Sequence, residues 1–248
     1  MPSHPPRPAV SPGLVRSATA VPAFEVKFLL TEAEAREMEQ RLRRRLVPDP
    51  HGDPARGGAY RVTSVYFDTA AFDVYRRSQG HRRRKFRVRR YGTGPTAYLE
   101  RKTKSAQQVR KRRTALPLAE LARLAAEVSP DWPGAWFVRR LGLRNLRPVC
   151  RVTYERLALV GQTPDGPLRA TFDRAAVGGP ADGPVPDPVA DGPRLLNGDV
   201  IGELKFLGAM PALFKSLVED LRLTPGPVSK YRRCVEAAGL APNGTGHG

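Results

Sequence analysis

Short segments in which Lys, Arg and Glu alternate with apolar residues constrain the fold of this chain more than any other feature. The clearest are 83–91 (RRKFRVRRY), 98–104 (YLERKTK), 168–174 (LRATFDR) and 200–206 (VIGELKF). Residues two apart in a β-strand lie on the same face of a sheet. Each segment therefore predicts a strand with one apolar face and one charged face, and the charged faces are mostly cationic.

The charge balance indicates a polyanionic partner. The chain has 42 Lys and Arg against 24 Asp and Glu, a formal net charge of +18, which suits nucleic acid, anionic lipid or polyphosphate. If the charged faces turn inward in a closed barrel, they form a cationic tunnel that must hold anions, because unpaired charges away from bulk water cost several kcal/mol each. Phosphate chains suit such a tunnel, since Arg presents a fork of N–H groups to phosphate oxygens and Lys a compact charge.

The chain is predicted to contain one α+β domain over 21–240. Residues 1–20, rich in Pro and Ser, are predicted to be a disordered tail, and 241–248 a flexible C-terminal tail. Strands are predicted at 23–30, 60–69, 82–92, 95–104, 107–116, 148–160, 168–177 and 200–206. Helices are predicted at 31–46, 117–127, 133–142, 209–221 and 228–238. Antiparallel strands in this number can close into a barrel.

The sequence shows no sign of secretion or of a membrane span. No stretch approaches the ~18 apolar residues that a spanning helix needs, and the N-terminus lacks the apolar core of a signal peptide. Two cysteines, Cys150 and Cys234, are too few for a disulfide framework or a zinc site and are interpreted as free thiols. We therefore expect a cytoplasmic protein. The arginine-rich helix at 31–46 leaves a peripheral association with a membrane surface open.

The few carboxylates among the many cations are candidates for metal binding. Mg²⁺ and Mn²⁺ prefer oxygen ligands and bridge phosphate oxygens. Glu203 is the first candidate ligand and Glu100 the second, although Glu100 could equally be an ion-pair partner of the neighbouring cations. Phosphoryl transfer needs mainly a metal, charge neutralisation and in-line positioning. The sequence shows no obvious Ser/His/Asp nucleophile system.

Eight short motifs resemble, in order, the VTC domain, the catalytic domain of the vacuolar transporter chaperone complex, which belongs with the CYTH-type triphosphate tunnel enzymes. The motifs span about 22–240. They are 25–28 (EVKF), 64–69 (SVYFDT), 85–92 (KFRVRRYG), 98–104 (YLERKTK), 151–156 (RVTYER), 169–173 (RATFD), 202–206 (GELKF) and 229–233 (SKYRR).

The resemblance implies an antiparallel β-barrel, the triphosphate tunnel, lined by Lys and Arg and flanked by helices. It implies a polyphosphate polymerase, a metal-dependent ATP–polyphosphate phosphotransferase that moves the γ-phosphate of ATP onto a growing polyphosphate chain. The implied ligands are ATP, inorganic polyphosphate and pyrophosphate, with Mn²⁺ or Mg²⁺ as cofactor. Nucleic acid is not expected as a partner.

The resemblance and the charged faces together give the candidate site residues. Glu203 matches the metal-binding glutamate of the family. The candidate catalytic residues are Glu203, Arg87, Arg89, Lys102 and Arg169. The resemblance assigns phosphate binding also to Lys27, Lys111, Tyr154, Arg156, Ser229 and Lys230. The charged faces of the strands add Lys85, Lys104, Arg113 and Lys205. Tyr154 depends mainly on the resemblance, because both faces of its strand are polar.

Two other functions stay open. Hydrolysis of inorganic triphosphate or a nucleoside triphosphate is one, but hydrolytic tunnel enzymes carry Glu-x-Glu-x-Lys on the first strand. Here Ala23 stands at the first position, followed by Glu25 and Lys27, which favours the polymerase. The other alternative is a non-enzymatic binder of polyphosphate or nucleic acid.

Overall fold

The computed structural model describes residues 23–104 and 109–241, so the predicted tail at 1–20 and the C-terminal tail from 242 onward lie outside the described residues. It contains an antiparallel sheet of nine strands. The strands are β1 (Ala23–Leu30), β2 (Val47–Pro48), β3 (Ala59–Asp68), β4 (Arg84–Tyr91), β5 (Thr96–Lys104), β6 (Val109–Pro117), β7 (Arg147–Thr163), β8 (Gly166–Pro180) and β9 (Val200–Leu207).

Five α-helices accompany the sheet in the described ranges. They are α1 (Glu32–Arg43), α2 (Asp73–Arg76), α3 (Ala135–Gly142), α4 (Ala212–Asp220) and α5 (Lys230–Ala237). The helix predicted at 117–127 is a 3₁₀ helix over Leu118–Ala125; it follows Pro117, whose side chain makes no capping hydrogen bond. None of these helices is long and apolar enough to cross a membrane.

Helix α1 shows how local sequence sets an element. The Thr31 hydroxyl accepts from the Glu34 backbone N–H at 3.2 Å, and the Glu34 carboxylate accepts from the Thr31 N–H at 2.7 Å, which forms a capping box. The helix ends at Arg43, earlier than the predicted residue 46, because the next residues turn into β2. There Pro48 disfavours a helical conformation for Val47.

The strand order is β1-β9-β8-β7-β3-β4-β5-β6, with β2 paired to β7. Residues opposite each other in the ladder share a face, so the register tests the predicted charge pattern. Glu25 lies opposite Lys205, Lys27 opposite Glu203, and Arg87 opposite Glu100. The charged faces of these neighbouring strands therefore match, and the predicted α+β architecture with an antiparallel sheet is confirmed.

Helices cover the apolar side of the sheet. Phe137 of α3 packs edge-on against Phe67 and Phe86, with ring centroids 5.6 and 5.7 Å apart. Phe214 of α4 packs against Phe206 of β9 at 6.1 Å. The apolar side is therefore the hydrophobic core, and the charged side is left concave.

The prediction of a closed barrel is wrong. Strands β1 and β6 are the edges of the sheet, and across the described ranges no backbone ladder joins them. The sheet still curves strongly. The curvature is evident from Lys102 on β5, which reaches both carboxylate oxygens of Glu25 on β1 at 3.0 and 3.1 Å. A bulge in β7 between Thr153 and Glu155 contributes to the bend. The charged side is thus a deep trough with an open seam bridged by side chains.

Helix α5 lies across one end of this trough. The Tyr231 ring packs 5.4 Å from the ring of Tyr66 on β3, and the Tyr231 hydroxyl donates to the Asp68 carboxylate. Gly178 on β8 permits the close approach of the helix, since a Cβ there would lie 2.5 Å from Cys234 Sγ. The packing brings the first residues of α5 into the trough.

Candidate functional site

The structure brings nearly all predicted site residues to the trough. Six strands from β4 to β9, together with β1 and the start of α5, each contribute at least one of them. They are Lys27, Lys85, Arg87, Arg89, Glu100, Lys102, Lys111, Arg113, Tyr154, Arg156, Arg169, Glu203, Lys205, Ser229 and Lys230. For Lys104 the backbone ends β5, but the placement of its side chain lies outside the described part of the structure.

A cavity of about 750 Å³ opens in the trough. Nine of its lining residues are Lys or Arg and two are Asp, so the lining carries a surplus of positive charge. Seven of the nine cations are among the predicted residues: Arg87, Arg89, Lys111, Arg113, Arg156, Arg169 and Lys205. Its volume falls within the range of small-molecule sites, roughly 300–1,000 Å³.

Glu100 anchors four of the cations. The side chain is 2% exposed, and its two oxygens lie 2.5 Å from Arg87 Nε, 2.7 Å from Lys111 Nζ and 3.1 Å from Arg113 Nε. Arg89 lies 4.0 Å away. Burial would raise the pKa of the carboxyl, but the surrounding positive charges outweigh it and hold that pKa well below its usual range. Glu100 therefore orients cations that would otherwise repel one another.

Glu203 belongs to a second group of charges, around Lys27. Lys27 Nζ lies 3.1 Å from Glu203 and 3.0 Å from Glu25, and Lys205 pairs with the other oxygen of Glu203. Burial opposes ionisation of Glu203, yet Lys27 and Lys205 lower its pKa well below the usual range. Burial also opposes the charge on Lys27, and the two carboxylates outweigh it and raise its pKa. Both carboxylates are thus held ionised.

The two carboxylates differ in their fitness for a divalent cation. Within the described ranges, no three His, Cys, Asp or Glu side chains gather as metal ligands. Mg²⁺ commonly takes one or two protein carboxylates and completes its shell with water and substrate phosphates. Glu203 and Glu25, which meet at Lys27, fit that requirement. Glu100 fits less well, because its side chain is 2% exposed and is surrounded by three arginines and a lysine, whereas in the described part of the chain Glu203 and Glu25 pair only with lysines.

Asp173 anchors a third group at the α5 end of the trough. Arg156 donates to both of its oxygens, at 2.6 and 2.7 Å, and Lys230 pairs with the same carboxylate. Burial lowers the pKa of Lys230 to about 8, although the charge of Asp173 acts in the opposite direction. Tyr154 lies on this face of β7, with its ring centroid 4.4 Å from Lys230 Nζ. The face of the strand that the sequence left ambiguous is thereby settled.

Ser229 connects α5 to β4. Its hydroxyl oxygen accepts from Lys85 Nζ at 3.1 Å and from the Arg232 backbone N–H at 3.4 Å, which caps the helix. Loss of solvation and the charges of Lys27 and Lys102 lower the pKa of Lys85 to about 8. The predicted residues Lys85, Ser229 and Lys230 therefore meet at one end of the trough.

Several residues of the site were not predicted from the sequence. Arg169 pairs with Asp49 at 2.5 Å and donates to the Tyr60 hydroxyl at 3.2 Å, and Arg89 donates to Ser64 Oγ at 3.0 Å. Asp49 lies in a Pro- and Gly-rich loop with no strand periodicity, so no pattern marks it. Tyr60 and Ser64 are four residues apart on β3 and therefore lie on the same face of the strand. That spacing could have identified them as residues of the site.

Tyr91 and Tyr98 also line the cavity. Arg113 donates to the Tyr91 hydroxyl at 2.7 Å and lies over the Tyr98 ring, 3.9 Å from its centroid. Burial would raise the pKa of Tyr91, but the charges of Arg89 and Arg113 lower it to about 8. The aromatic rings thus hold cations in place at one wall of the cavity.

Comparison with known proteins agrees with this geometry. The model of the VTC domain family matches residues 23–238. A candidate adenylate cyclase of Bacillus halodurans has a similar structure, with a TM-score of 0.51 and 14% identity over 84% of this chain and 94% of that chain. A candidate adenylyl cyclase of Hippeastrum with a dominant triphosphatase activity gives a TM-score of 0.50 and 13% identity over 86% of this chain and 95% of that chain. No curated protein sequence matches. At such identities the two structures share the fold.

Proposed function

Because the chain belongs to the VTC domain family, with 23–238 matching the family model, we propose that it is a polyphosphate polymerase that transfers the γ-phosphate of ATP onto a growing polyphosphate chain. The observation that carries the proposal is the cavity of about 750 Å³, where nine cations face two Asp side chains. A linear phosphate anion supplies the negative charge that this surface lacks.

The cations are held in place before substrate binds. Glu100 orients Arg87 and Lys111, and Asp173 holds Arg156 with two hydrogen bonds. Donors fixed in advance stabilise the charge that develops on a transferring phosphoryl group without reorganising during the reaction. In this proposal Arg87, Arg89, Lys102 and Arg169 act on the reacting phosphates, and the other cations position the chain.

Glu203 and Glu25 are the residues that would hold the divalent cation. Mn²⁺ or Mg²⁺ bound there would neutralise charge on the phosphate oxygens. Lys27 and Lys205 keep Glu203 ionised and therefore ready to bind a cation at neutral pH.

Hydrolysis of triphosphate is the second candidate. A specific observation favours it, since the Hippeastrum protein of similar fold has a dominant triphosphatase activity. Against it, Ala23 replaces the first glutamate of the Glu-x-Glu-x-Lys pattern on β1 and leaves Glu25 as the first carboxylate of that strand.

The test is incubation of the purified protein with ATP, Mn²⁺ and a pyrophosphate primer. Gel electrophoresis measures polymer, and a colorimetric assay measures free phosphate. Polymer formation supports the polymerase. Phosphate release without polymer would establish the hydrolase instead.

Glu203→Gln separates catalysis from binding. We expect it to lower turnover at least about a hundredfold, since it removes a carboxylate that would hold the divalent cation, while tripolyphosphate binding is kept. Glu219→Gln, which removes a carboxylate from the exposed side of α4, is the matched control and should leave turnover unchanged. Full activity of Glu203→Gln would exclude the proposed role.

A further inference from the structure

Five arginines gather on the apolar side of the sheet, away from the trough. We call them the outer arginine cluster: Arg84 of β4, Arg101 of β5, Arg112 of β6, Arg140 of α3, and Arg144 two residues after α3. Arg101 and Arg112 lie opposite each other in the ladder. Both approach the Trp136 ring, at 5.9 and 4.3 Å from its centroid.

Among the residues that the structure describes, the cluster lacks carboxylates like Glu100, Glu203 and Asp173, which accompany the cations of the trough. In the described ranges none of its members forms an ion pair with a carboxylate, and the segments 1–22, 105–108 and 242–248 contain no Asp or Glu. Arg84 and Arg144 both donate to the carbonyl oxygen of Gly80, each at 3.1 Å. The Nε of Arg101 is buried with no acceptor.

Such an arrangement is unfavourable without a ligand. Like charges directly opposite each other in a ladder destabilise a sheet, and a buried donor without an acceptor costs about 1–3 kcal/mol. Loss of solvation and the charges of the neighbouring arginines lower the pKa of Arg101 and of Arg144. An anion with several oxygen acceptors would relieve both costs.

The outer arginine cluster lies close to the end of the trough, which indicates that its ligand is an anion extending out of the trough. Arg84, Arg101 and Arg112 directly precede or follow Lys85, Lys102 and Lys111, which face the trough. Neighbours in a strand point to opposite faces, so the two sets lie back to back near the end of the sheet where β5 ends and β6 begins. About 10 Å of strand separates Arg101 from the end of β5. The start of α5 lies at this same end, on the β4 side, where Ser229 contacts Lys85. A linear anion that leaves the trough past Lys102 and Lys111 would cross the rim formed by β5 and β6 and meet the cluster.

We propose that the outer arginine cluster binds the part of a long polyphosphate chain that extends beyond the trough. This inference rests on the proposed function. Nucleic acid fits less well, because single-stranded nucleic acid is usually held by bases stacked on free aromatic rings. The aromatic ring in the cluster, Trp136, is engaged by guanidinium groups, and its indole N–H donates to Thr114 Oγ1 at 2.9 Å.

The test compares two ligands on the double variant Arg101→Gln/Arg112→Gln. Affinity for long-chain polyphosphate should fall about tenfold and depend less steeply on salt, because phosphate contacts that release counterions are lost. Affinity for tripolyphosphate, which is short enough to stay in the trough, should not change. The matched control is Arg44→Gln/Arg45→Gln, which removes two exposed charges after α1 and should change neither affinity more than about twofold.

Three results would overturn the inference: unchanged long-chain affinity in the cluster variant, an equal loss in the control variant, or a larger loss for single-stranded RNA or phosphatidylserine vesicles than for polyphosphate. The single variant Arg112→Gln, at an exposed position, gives the same comparison if the double variant fails to fold. The proposed function fails separately, through absence of polymer synthesis by the wild-type protein. Suppose that the wild-type protein makes no polymer and that the cluster variant still loses affinity for long-chain polyphosphate. The proposed function would then fail, but the cluster would stand as a binding site.

Discussion

At the scale of single residues, the carboxylates decide how the cations of the trough are arranged. Glu100 is the clearest case, because four cations contact a side chain that is almost fully buried. Glu100→Gln should lower the free energy of unfolding by about 3 kcal/mol, since breaking a buried ion pair leaves charges uncompensated. Chemical denaturation measures the change.

Two comparisons isolate this effect. Glu219→Gln, on the exposed side of α4, should change the free energy of unfolding by less than about 0.5 kcal/mol. Saturating tripolyphosphate should restore more of the thermal stability of Glu100→Gln than it adds to the wild-type protein, because the anion replaces the lost negative charge. Wild-type stability in Glu100→Gln would show that the four cations do not need their anchor.

The lysines near α5 predict a pH dependence of phosphate binding. The pKa values of Lys85 and Lys230 are lowered to about 8, chiefly by loss of solvation. Both are therefore charged at pH 7 and largely neutral at pH 9, so tripolyphosphate affinity should fall as the pH rises through 8. Titration calorimetry between pH 7 and 9 measures the fall.

Lys230→Arg is the variant that tests this assignment. An arginine keeps its charge throughout this range, so the loss of affinity should become smaller and move to higher pH. Lys215→Arg on the exposed side of α4 is the control and should keep the wild-type profile. A flat wild-type profile would contradict the assignment.

The sequence predicted the cations of the site, and Glu100 as a possible partner for them, but not Asp49, which pairs with Arg169. Alternation on β4, β5, β8 and β9 marks Arg87, Lys102, Arg169 and Lys205, because a two-residue period needs no knowledge of distant parts of the chain. The partnership of Asp49 with Arg169 depends on where a loop returns to the sheet. No local pattern carries that information.

At the scale of elements, α5 places two predicted residues in the trough, and the buried contact between Tyr231 and Asp68 fixes it. Asp68 also accepts from the backbone N–H groups of Val74 and Tyr75 at 2.8 and 2.9 Å. Tyr231→Phe should reduce the free energy of unfolding by about 1–2 kcal/mol and raise the KM for ATP several-fold. Tyr75→Phe, which removes an exposed hydroxyl, is the control, and an unchanged KM in Tyr231→Phe would show that α5 is held by other contacts.

The sequence predicted the individual strands correctly, but the prediction that they close into a barrel was wrong. Each strand is marked by its own residues, but the path of the sheet depends on the bulge at Thr153–Glu155 and on α5 across one end. Both are consequences of contacts between distant segments. The sequence permits inward charged faces without specifying whether β1 and β6 pair.

At the scale of the whole molecule, a net charge of +18 and a cationic trough oppose folding unless an anion binds. Long-chain polyphosphate should therefore raise the melting temperature by several degrees, through binding to the native state. Sodium chloride at equal ionic strength should raise it less, because it screens charge without occupying the trough. Differential scanning fluorimetry compares the two, and equal shifts would show that screening alone accounts for the effect.

The open seam between β1 and β6 has a consequence for the lengths of the polymers. A sealed ring must be threaded from an end, and it retains its chain through many cycles of addition. A groove with a side opening, crossed by the Lys102–Glu25 ion pair, would let a chain enter and leave sideways when that ion pair opens. If the protein is the polymerase proposed above, we expect distributive synthesis, with products that grow together as a broad population of intermediate lengths.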